Sequence, residues 1–210
     1  MAFTAESLQI IIKGLILGFS IAAPVGPIGV LCIRRTLERG FKSGLVSGLG
    51  AASADAIYGT IAAAGLTLIA DFLASQKFWL GLLGGAFLFY LGIKTLLGKP
   101  AHENPKKESK ELGGDYFSTF ALTLSNPMTI FSFIAVFGGL SAQAESSFRF
   151  AAFLLVLGVF CGSALWWLTL STLVNILRQR LSQRILSYVN KVAALVIIAF
   201  AFYLLFQAIA

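Results

Sequence analysis

Asp55 is the residue of this sequence whose position most clearly indicates chemistry, because it lies inside a long apolar segment, GLGAASADAIYGT. Counted from Gly44, it lies about 11 residues into that segment, or roughly 16 Å along a helix, near the midplane of a bilayer. A carboxylate at that depth costs at least ~2.5–3.5 kcal/mol unless it faces a cavity or is protonated. This property predicts a proton carrier. The structural alternative is a protonated carboxyl group that is hydrogen-bonded to a neighbouring backbone.

Helix-breaking residues interrupt two other apolar segments. The first segment contains Pro24, Gly26 and Pro27 in the order Pro-Val-Gly-Pro, and a later segment contains Asn126 and Pro127 in the order Ser-Asn-Pro. Proline has no N–H and clashes with the carbonyl four residues earlier, so each site loosens its helix. Freed carbonyls in a membrane are tolerated where they line a wet cavity, and paired breaks mark transport sites. The pattern predicts a substrate cavity at the two breaks, with two packing kinks as the alternative.

Other kinds of site have little support in the sequence. Cys32 and Cys161 form no Cys-x-x-Cys pair, and the single histidine, His102, lies in a polar stretch. The sequence contains no P-loop pattern for nucleotide phosphates, and it offers no Ser-His-Asp set near the apolar segments. We therefore expect no enzyme activity, no cofactor and no metal site.

The composition indicates which elements must hold these residues. Hydrophobic residues make up 58% of the 210 residues and charged residues 12%, whereas about a quarter of a soluble domain is charged. Apolar runs long enough to cross a bilayer predict helices over residues 8–33, 44–70, 78–97, 117–140, 148–174 and 185–208. The sequence thus predicts an all-α membrane protein with six transmembrane helices in a single domain, residues 1–210.

Basic residues are distributed unevenly between alternate loops. Lys77 and Arg149 lie in the even loops, and eleven basic residues lie in the odd loops. The eleven are Arg34, Arg35, Arg39, Lys42, Lys99, Lys106, Lys107, Lys110, Arg178, Arg180 and Arg184. Because Lys and Arg favour the cytoplasmic side, the odd loops are predicted to be cytoplasmic and both termini to lie outside. Insertion in the lipid bilayer, with basic residues in the cytoplasmic loops, also explains the net charge of +7, so we expect no nucleic-acid partner.

The longest predicted loop, residues 98–115, is rich in Lys and Glu and contains little that is apolar. It is therefore predicted to be a flexible cytoplasmic linker. It separates helices 1–3, about residues 8–97, from helices 4–6, about residues 117–208. Because three is odd, the second set enters the membrane from the opposite side. The predicted fold is a 3+3 inverted-topology repeat in which helices 1 and 4 are broken.

Small and aromatic residues indicate how the helices pack. Four Gly-x-x-x-Gly pairs let helix backbones approach closely, either within the chain or in a homo-oligomer. The pairs are Gly14/Gly18, Gly44/Gly48, Gly81/Gly85 and Gly158/Gly162. Tryptophan and tyrosine residues near the predicted helix ends, among them Trp167, are expected at the membrane interfaces.

The segment APVGPIGVLCIRRTLERGFKSGLVSGLGAASADAIYGTIAAAGL, together with TLSNPMTI, resembles the LysE/RhtB family of amino-acid exporters. The similarity is strongest over residues 22–66 and 125–130. It implies six hydrophobic segments and a transport pathway. The residues that it implicates in the pathway are Pro24, Gly26, Pro27, Asp55, Asn126 and Pro127. Many members of one branch have Lys directly after the Asn-Pro pair, where this chain has Met128, so the class of amino acid stays open.

Together these features predict a secondary active transporter that exports amino acids or related small solutes across the bacterial cytoplasmic membrane. Since the sequence shows no nucleotide site, proton antiport is the expected energy source, with Asp55 as the group that binds the proton. One alternative is a metal-ion or inorganic-cation exporter of the wider LysE-like group, which would need several intramembrane ligands besides Asp55. Another is a thiol-redox carrier, which would need a reactive cysteine in helices 1 and 4, whereas Cys161 lies in the fifth.

Overall fold

The computed structural model describes seven α-helices, and no strand occurs among the residues that it describes. These residues are 5–24, 26–63, 76–97, 108–126, 129, 132–133, 146–178 and 183–209. The helices are α1 (Ala5–Ala22), α2 (Pro27–Arg39), α3 (Phe41–Ala63), α4 (Lys77–Leu97), α5 (Glu108–Leu124), α6 (Ser146–Arg178) and α7 (Gln183–Ile209). The prediction of an all-helical chain is confirmed.

Two helices among the described residues are long and apolar enough, by length and composition, to cross a membrane. They are Ala5–Ala22, which is α1, and Phe150–Arg178 within α6. Shorter apolar stretches cover Gly81–Leu97 in α4 and Lys191–Phe206 in α7. Large apolar side chains are exposed along these helices, as expected of helices that face lipid. The count of six membrane spans stays a prediction.

The predicted break within the first segment, residues 8–33, is confirmed, because α1 ends at Ala22 and α2 begins at Pro27. Pro27 is the first residue of α2, a position where the missing N–H costs no helical hydrogen bond. Gly26 is extended, with φ −94° and ψ −164°, and its N–H donates to the Pro24 carbonyl oxygen at 2.9 Å. The proline residues that predicted the break therefore lie at the junction of two separate helices.

The predicted first cytoplasmic loop is reduced to one residue, Gly40. α2 extends to Arg39 and α3 begins directly after Gly40, so Arg34, Arg35 and Arg39 lie in a helix rather than in a loop. Gly40 has φ 93°, a value that favours glycine, and its N–H donates to the Thr36 carbonyl oxygen at 2.9 Å. α2 is therefore a 13-residue helix with a break at each end.

The predicted flexible linker, residues 98–115, is wrong over its last part, because α5 begins at Glu108. Asp115 is buried in that helix and forms ion pairs with Arg35 and Arg39 of α2. Pairing compensates the charge of this polar segment, so that it packs against the bundle instead of remaining solvated. The earlier part of the predicted linker lies outside the described residues.

Glycine contacts bring α1 and α6 together. A Cβ atom on Gly14 would lie 2.3 Å from the Leu155 carbonyl oxygen, and one on Gly18 would lie 2.0 Å from another carbonyl oxygen of α6. On the opposite helix, Gly158 and Gly162 meet the α1 backbone in the same way. Since a larger residue does not fit this crossing, these two glycine pairs serve contacts within the chain.

Two further helix pairs also depend on glycine. A Cβ atom on Gly50 of α3 would lie 2.4 Å from the Tyr116 carbonyl oxygen of α5, and Gly85 of α4 faces Leu205 of α7. α3 also packs on α6, while α2 contacts α3, α5, α6 and α7. The short helix α2 therefore lies in the interior of the described bundle.

Candidate functional site

A cavity of about 300 Å³ lies where α2 begins. Most of the residues that the sequence predicted for the pathway line this cavity together. They are Pro24, Gly26, Pro27, Asp55 and Asn126. The remaining predicted residue, Pro127, lies outside the described residues. The other walls come from α1, α5, α6 and α7, so residues from both halves of the sequence meet at one place.

Asp55 is buried, with 4% of its surface exposed, and it is held in place by α6. The Ser163 hydroxyl donates to its Oδ2 at 2.7 Å, and the Trp167 indole N–H donates to the Ser163 Oγ at 3.2 Å. In the described part of the chain, no Lys or Arg forms an ion pair with this carboxyl group. Asp55 thus has one hydroxyl donor and also lines the cavity.

Small residues allow Asp55 to reach this position. Ala51 and Ala52 of α3 are buried and pack in one cluster with Cys32 of α2 and Trp167 of α6. Such short side chains let α3 approach both helices closely. The carboxyl group of Asp55 therefore reaches the serine of α6 across a narrow gap between the helices.

The N-terminal end of α2 opens into the cavity. Its first three residues, Pro27, Ile28 and Gly29, line the wall next to Gly26. The first N–H groups of a helix have no intrahelical acceptor and form its positive end, which favours anions. A Cβ atom on Gly26 would meet nothing within 4 Å. The cavity therefore has a buried carboxyl group on α3 and a positive helix end on α2.

Asn126 follows the C-terminal end of α5. Its N–H donates to the Thr123 carbonyl oxygen at 3.2 Å, and its own carbonyl accepts from the Thr129 N–H at 3.0 Å. The chain turns at this point instead of continuing the regular hydrogen-bond pattern of α5. The hydroxyl of Tyr58 in α3 donates to the Leu124 carbonyl oxygen. This hydrogen bond satisfies a carbonyl group at the end of α5, where the helix itself supplies no donor. The second break is thus held by α3, the helix that carries Asp55.

The contacts of Asp55 with Ser163, and of Ser163 with Trp167, were not predicted from the sequence. The position of Trp167 near a predicted helix end indicates an interfacial residue, and that prediction is wrong, because this side chain is only 4% exposed and lines the cavity. Residues four apart in a helix lie on the same face, and this spacing is the signal that pairs Ser163 with Trp167. The sequence does not indicate that this face meets Asp55.

The described residues contain no group of three or more His, Cys, Asp or Glu side chains that could hold a metal ion. Cys32 is buried in α2, Cys161 is exposed on α6, and both are free thiols. The polar groups around the cavity are instead the Asp55 carboxyl, the Asn126 amide and several hydroxyl groups.

Known proteins resemble this chain over nearly its full length. Residues 19–208 match the family model described as LysE type translocator. The "Putative amino acid efflux protein YcgF" of Bacillus subtilis is 28% identical over 207 residues, which cover 96% of this chain and 98% of that protein. The "Chemotactic transduction protein ChpE" of Pseudomonas aeruginosa is 27% identical over 183 residues, which cover 83% and 87% of the two chains. No solved structure matches the chain significantly.

Proposed function

Because the chain belongs to the LysE type translocator family, whose members are integral membrane transporters rather than enzymes, we propose that it exports amino acids by secondary transport. The observation that carries this proposal is the convergence of both helix breaks and Asp55 on one cavity. In support, a relative that matches nearly the whole chain is named for amino acid efflux. The proposed location is the bacterial cytoplasmic membrane, with the odd-numbered loops on the cytoplasmic side.

Asp55 is proposed to bind the substrate ammonium group and a proton alternately. No described basic side chain pairs with this carboxyl group, so a bound amine would supply the cationic partner that the protein lacks. A protonated carboxyl group no longer attracts an ammonium group, and competition between proton and substrate is sufficient for antiport. The membrane potential supplies about 2.3 kcal/mol per elementary charge per 100 mV, which supports a useful gradient.

The N-terminal end of α2 is proposed to receive the substrate carboxylate. In transporters with broken helices, the N-termini of the half-helices point at anionic groups of the substrate. Besides its hydroxyl groups, the cavity is lined by the apolar side chains of Ile21, Phe200 and Leu204. A zwitterion with an apolar side chain fits these walls, so a neutral, apolar amino acid is the substrate class that we propose.

The pairing of the helices supports the proposed 3+3 inverted repeat. In such a repeat, α1 with α2 corresponds to α5, α3 corresponds to α6, and α4 corresponds to α7. The two-fold axis of such a repeat would place α1 on α5 and α6 on α3, so a contact between α1 and α6 requires a matching contact between α5 and α3. Both contacts are present. The equivalent helices α4 and α7 contact each other, and so do α3 and α6, as expected of helices that pack across a two-fold axis. A domain of residues 1–210 built in this way has its site at the interface of the halves.

Uphill transport in proteoliposomes tests the function. With an imposed proton gradient, the wild-type protein is expected to concentrate leucine in preference to lysine. Asp55→Asn keeps the size of the side chain but fixes it in the neutral state, so it is expected to abolish this transport. Glu6→Gln, which removes an exposed carboxyl group in the first turn of α1, is the matched control and is expected to retain it. Undiminished uphill transport by Asp55→Asn would exclude Asp55 as the coupling group, and failure of the wild type to move any amino acid would overturn the function.

A further inference from the structure

α2 connects the cavity with a second buried polar cluster. Its first residues line the cavity, and its C-terminal half carries Arg35 and Arg39. Arg35 lies roughly 9 Å along the helix axis from Gly29, a cavity residue. The break at residues 23–26 and the single residue Gly40 give α2 a joint at each end. A short helix between two joints can move as a rigid unit.

Arg35 is buried, and the hydrogen bonds that it donates in the described structure lead to α3 and α5. Its Nη1 donates to the Ser47 Oγ at 2.9 Å, to the Asp115 carbonyl oxygen at 2.9 Å and to the Thr119 Oγ1 at 2.7 Å. Its Nη2 donates to the Ser118 Oγ at 2.7 Å. One guanidinium group therefore attaches α2 to both members of a neighbouring helix pair.

Asp115 completes this network from α5. Its Oδ1 accepts from the Arg39 Nη2 at 2.6 Å and lies 3.3 Å from the Arg35 Nε, while its Oδ2 accepts from the Ser43 hydroxyl at 2.6 Å. One carboxylate thus joins two arginines of α2 to α3 and α5. We name this network the latch. It consists of Arg35, Arg39, Ser43, Ser47, Asp115 and Thr119.

The latch lies next to the cavity on α3 and on α5. Thr119 accepts from Arg35, and Thr123, one turn further along α5, lines the cavity and donates to the Thr119 carbonyl oxygen at 2.9 Å. On α3, Ser47 lies one turn before the cavity residue Ala51. The latch therefore lies one helical turn from the cavity, on the side where the basic residues are concentrated and which is proposed to be cytoplasmic.

Because its charged groups are buried, the latch has two states, one with the Arg35–Asp115 pair formed and one with the pair separated. Arg35 and Asp115 are 5% and 3% exposed, so their separation would leave two uncompensated charges inside the protein unless water replaces each partner. The two side chains can part only when water enters the space between α2 and the α3–α5 pair. Opening of the latch and hydration of the pathway are therefore one event.

We propose that α2 is the cytoplasmic gate of this transporter and that the latch holds the gate closed in this structure. The proposal rests on the proposed export function, because an exporter must admit its substrate from the cytoplasm in every cycle. α3 and α5, which approach each other closely at Gly50, stay together while α2 moves away from both. Arg35 and Asp115 act on access to the pathway and do not contact the substrate.

Cys32 reports the position of α2 without an engineered label. It lies in α2, has 0% of its surface exposed and packs against Ala51, Ala52 and Trp167. The chain has two cysteines, so Cys161→Ser leaves Cys32 as the only thiol. In inside-out vesicles, a membrane-impermeant maleimide approaches from the cytoplasmic face. Cys32 is expected to react slowly in this parent protein because the closed gate buries it.

Asp115→Asn in the parent is expected to raise the rate of Cys32 labelling about tenfold or more, since it removes the charge that binds both arginines. Thr119→Val keeps the charges and the approximate side-chain volume but removes one acceptor, so a smaller increase is expected. Glu6→Gln is the control. It also removes a carboxylate, but one that is exposed in the first turn of α1, and labelling should stay at the parent rate.

Equal labelling rates in the parent, Asp115→Asn and Thr119→Val would overturn the proposal. An increase seen only in right-side-out vesicles would do so too, and failure of both variants to insert in the membrane would mean that the network maintains the fold and is not a gate. The readout needs no substrate. Labelling as expected without export of any amino acid would therefore support the gate and refute the proposed function, whereas export with an unresponsive Cys32 would refute the gate alone.

Discussion

Asp55 and Asp115 are almost equally buried, with 4% and 3% of their surfaces exposed, but their partners differ. Asp115 has two guanidinium groups and a hydroxyl group within 3.3 Å. Asp55 has the Ser163 hydroxyl at 2.7 Å and lines a cavity. The difference shows that burial alone does not determine the role of an acid. A carboxylate whose charge is matched within the protein links neighbouring helices, and one whose charge is unmatched is available to a mobile cation.

The largest expected effect is on transport by Asp55→Asn. Uphill export is expected to fall more than ~100-fold, as for loss of a group on which the cycle depends. The thermal unfolding temperature in detergent should stay the same or rise, because the change removes a buried carboxyl group that no described basic side chain pairs with. A drop in stability as large as that of Asp115→Asn would break the comparison between the two acids.

Asp115→Asn is expected to have the opposite effect to Asp55→Asn. It should lower the stability of the protein and leave substrate binding unchanged. Removal of one partner of a buried ion pair costs about 3–5 kcal/mol, because the remaining charge is left uncompensated. Unfolding of the purified protein in denaturant measures this loss. Glu38→Gln serves as the control, and its ion pair within α2 is worth about 0.3–0.5 kcal/mol. Equal losses in the two variants would show that the latch is no stronger than an ordinary helical pair.

Ser163→Ala sharpens the description of Asp55. Loss of the hydroxyl group that donates to Asp55 in the described structure is expected to weaken export about threefold to tenfold, which corresponds to about 0.5–1.5 kcal/mol for one hydrogen bond. Ser171→Ala is the matched control on the same helix, because the Ser171 Oγ is buried and has no hydrogen-bond partner in the described structure. Its transport is expected to equal that of the wild type. Equal defects in both variants would mean that α6 tolerates no change, whatever the contact.

Tyr58→Phe is expected to have the smallest effect. The hydroxyl of Tyr58 donates to the carbonyl of Leu124 next to the second break, so its loss should raise KM about twofold to threefold without a change in maximal rate. Tyr116→Phe is the control, since that hydroxyl donates to the Ser53 Oγ at 2.8 Å and neither residue lines the cavity. Unchanged KM in Tyr58→Phe would show that the break does not depend on this bond.

The sequence predicted those features that depend on one segment at a time. Hydropathy identified helical segments, and proline chemistry identified the break at Pro24 and Pro27. The sequence did not predict that Arg35 and Asp115 lie in helices, because a charged residue in an apolar protein indicates a loop unless its partner is known. These two residues are far apart in the sequence, and only the folded chain brings their charges together.

The side toward which a residue faces was equally hard to predict. Trp167 is of a residue type that is common at membrane interfaces, but it faces inward because Gly48 of α3 leaves room for its ring. A Cβ atom on Gly48 would lie 2.3 Å from the Trp167 Cβ. A Gly-x-x-x-Gly pattern predicts a close contact without naming the partner helix. The same limit applied to Asp55, whose partner on α6 was not predictable from α3 alone.

The contact between α1 and α6 also determines the order in which the protein is assembled during synthesis. Gly14 and Gly158 meet backbone to backbone, although about 140 residues lie between them, so at ~5–20 residues per second α1 waits roughly 7–28 s for its partner. A nascent chain that stops before α6 therefore carries a first helix whose glycine face lacks the partner that covers it in the folded protein.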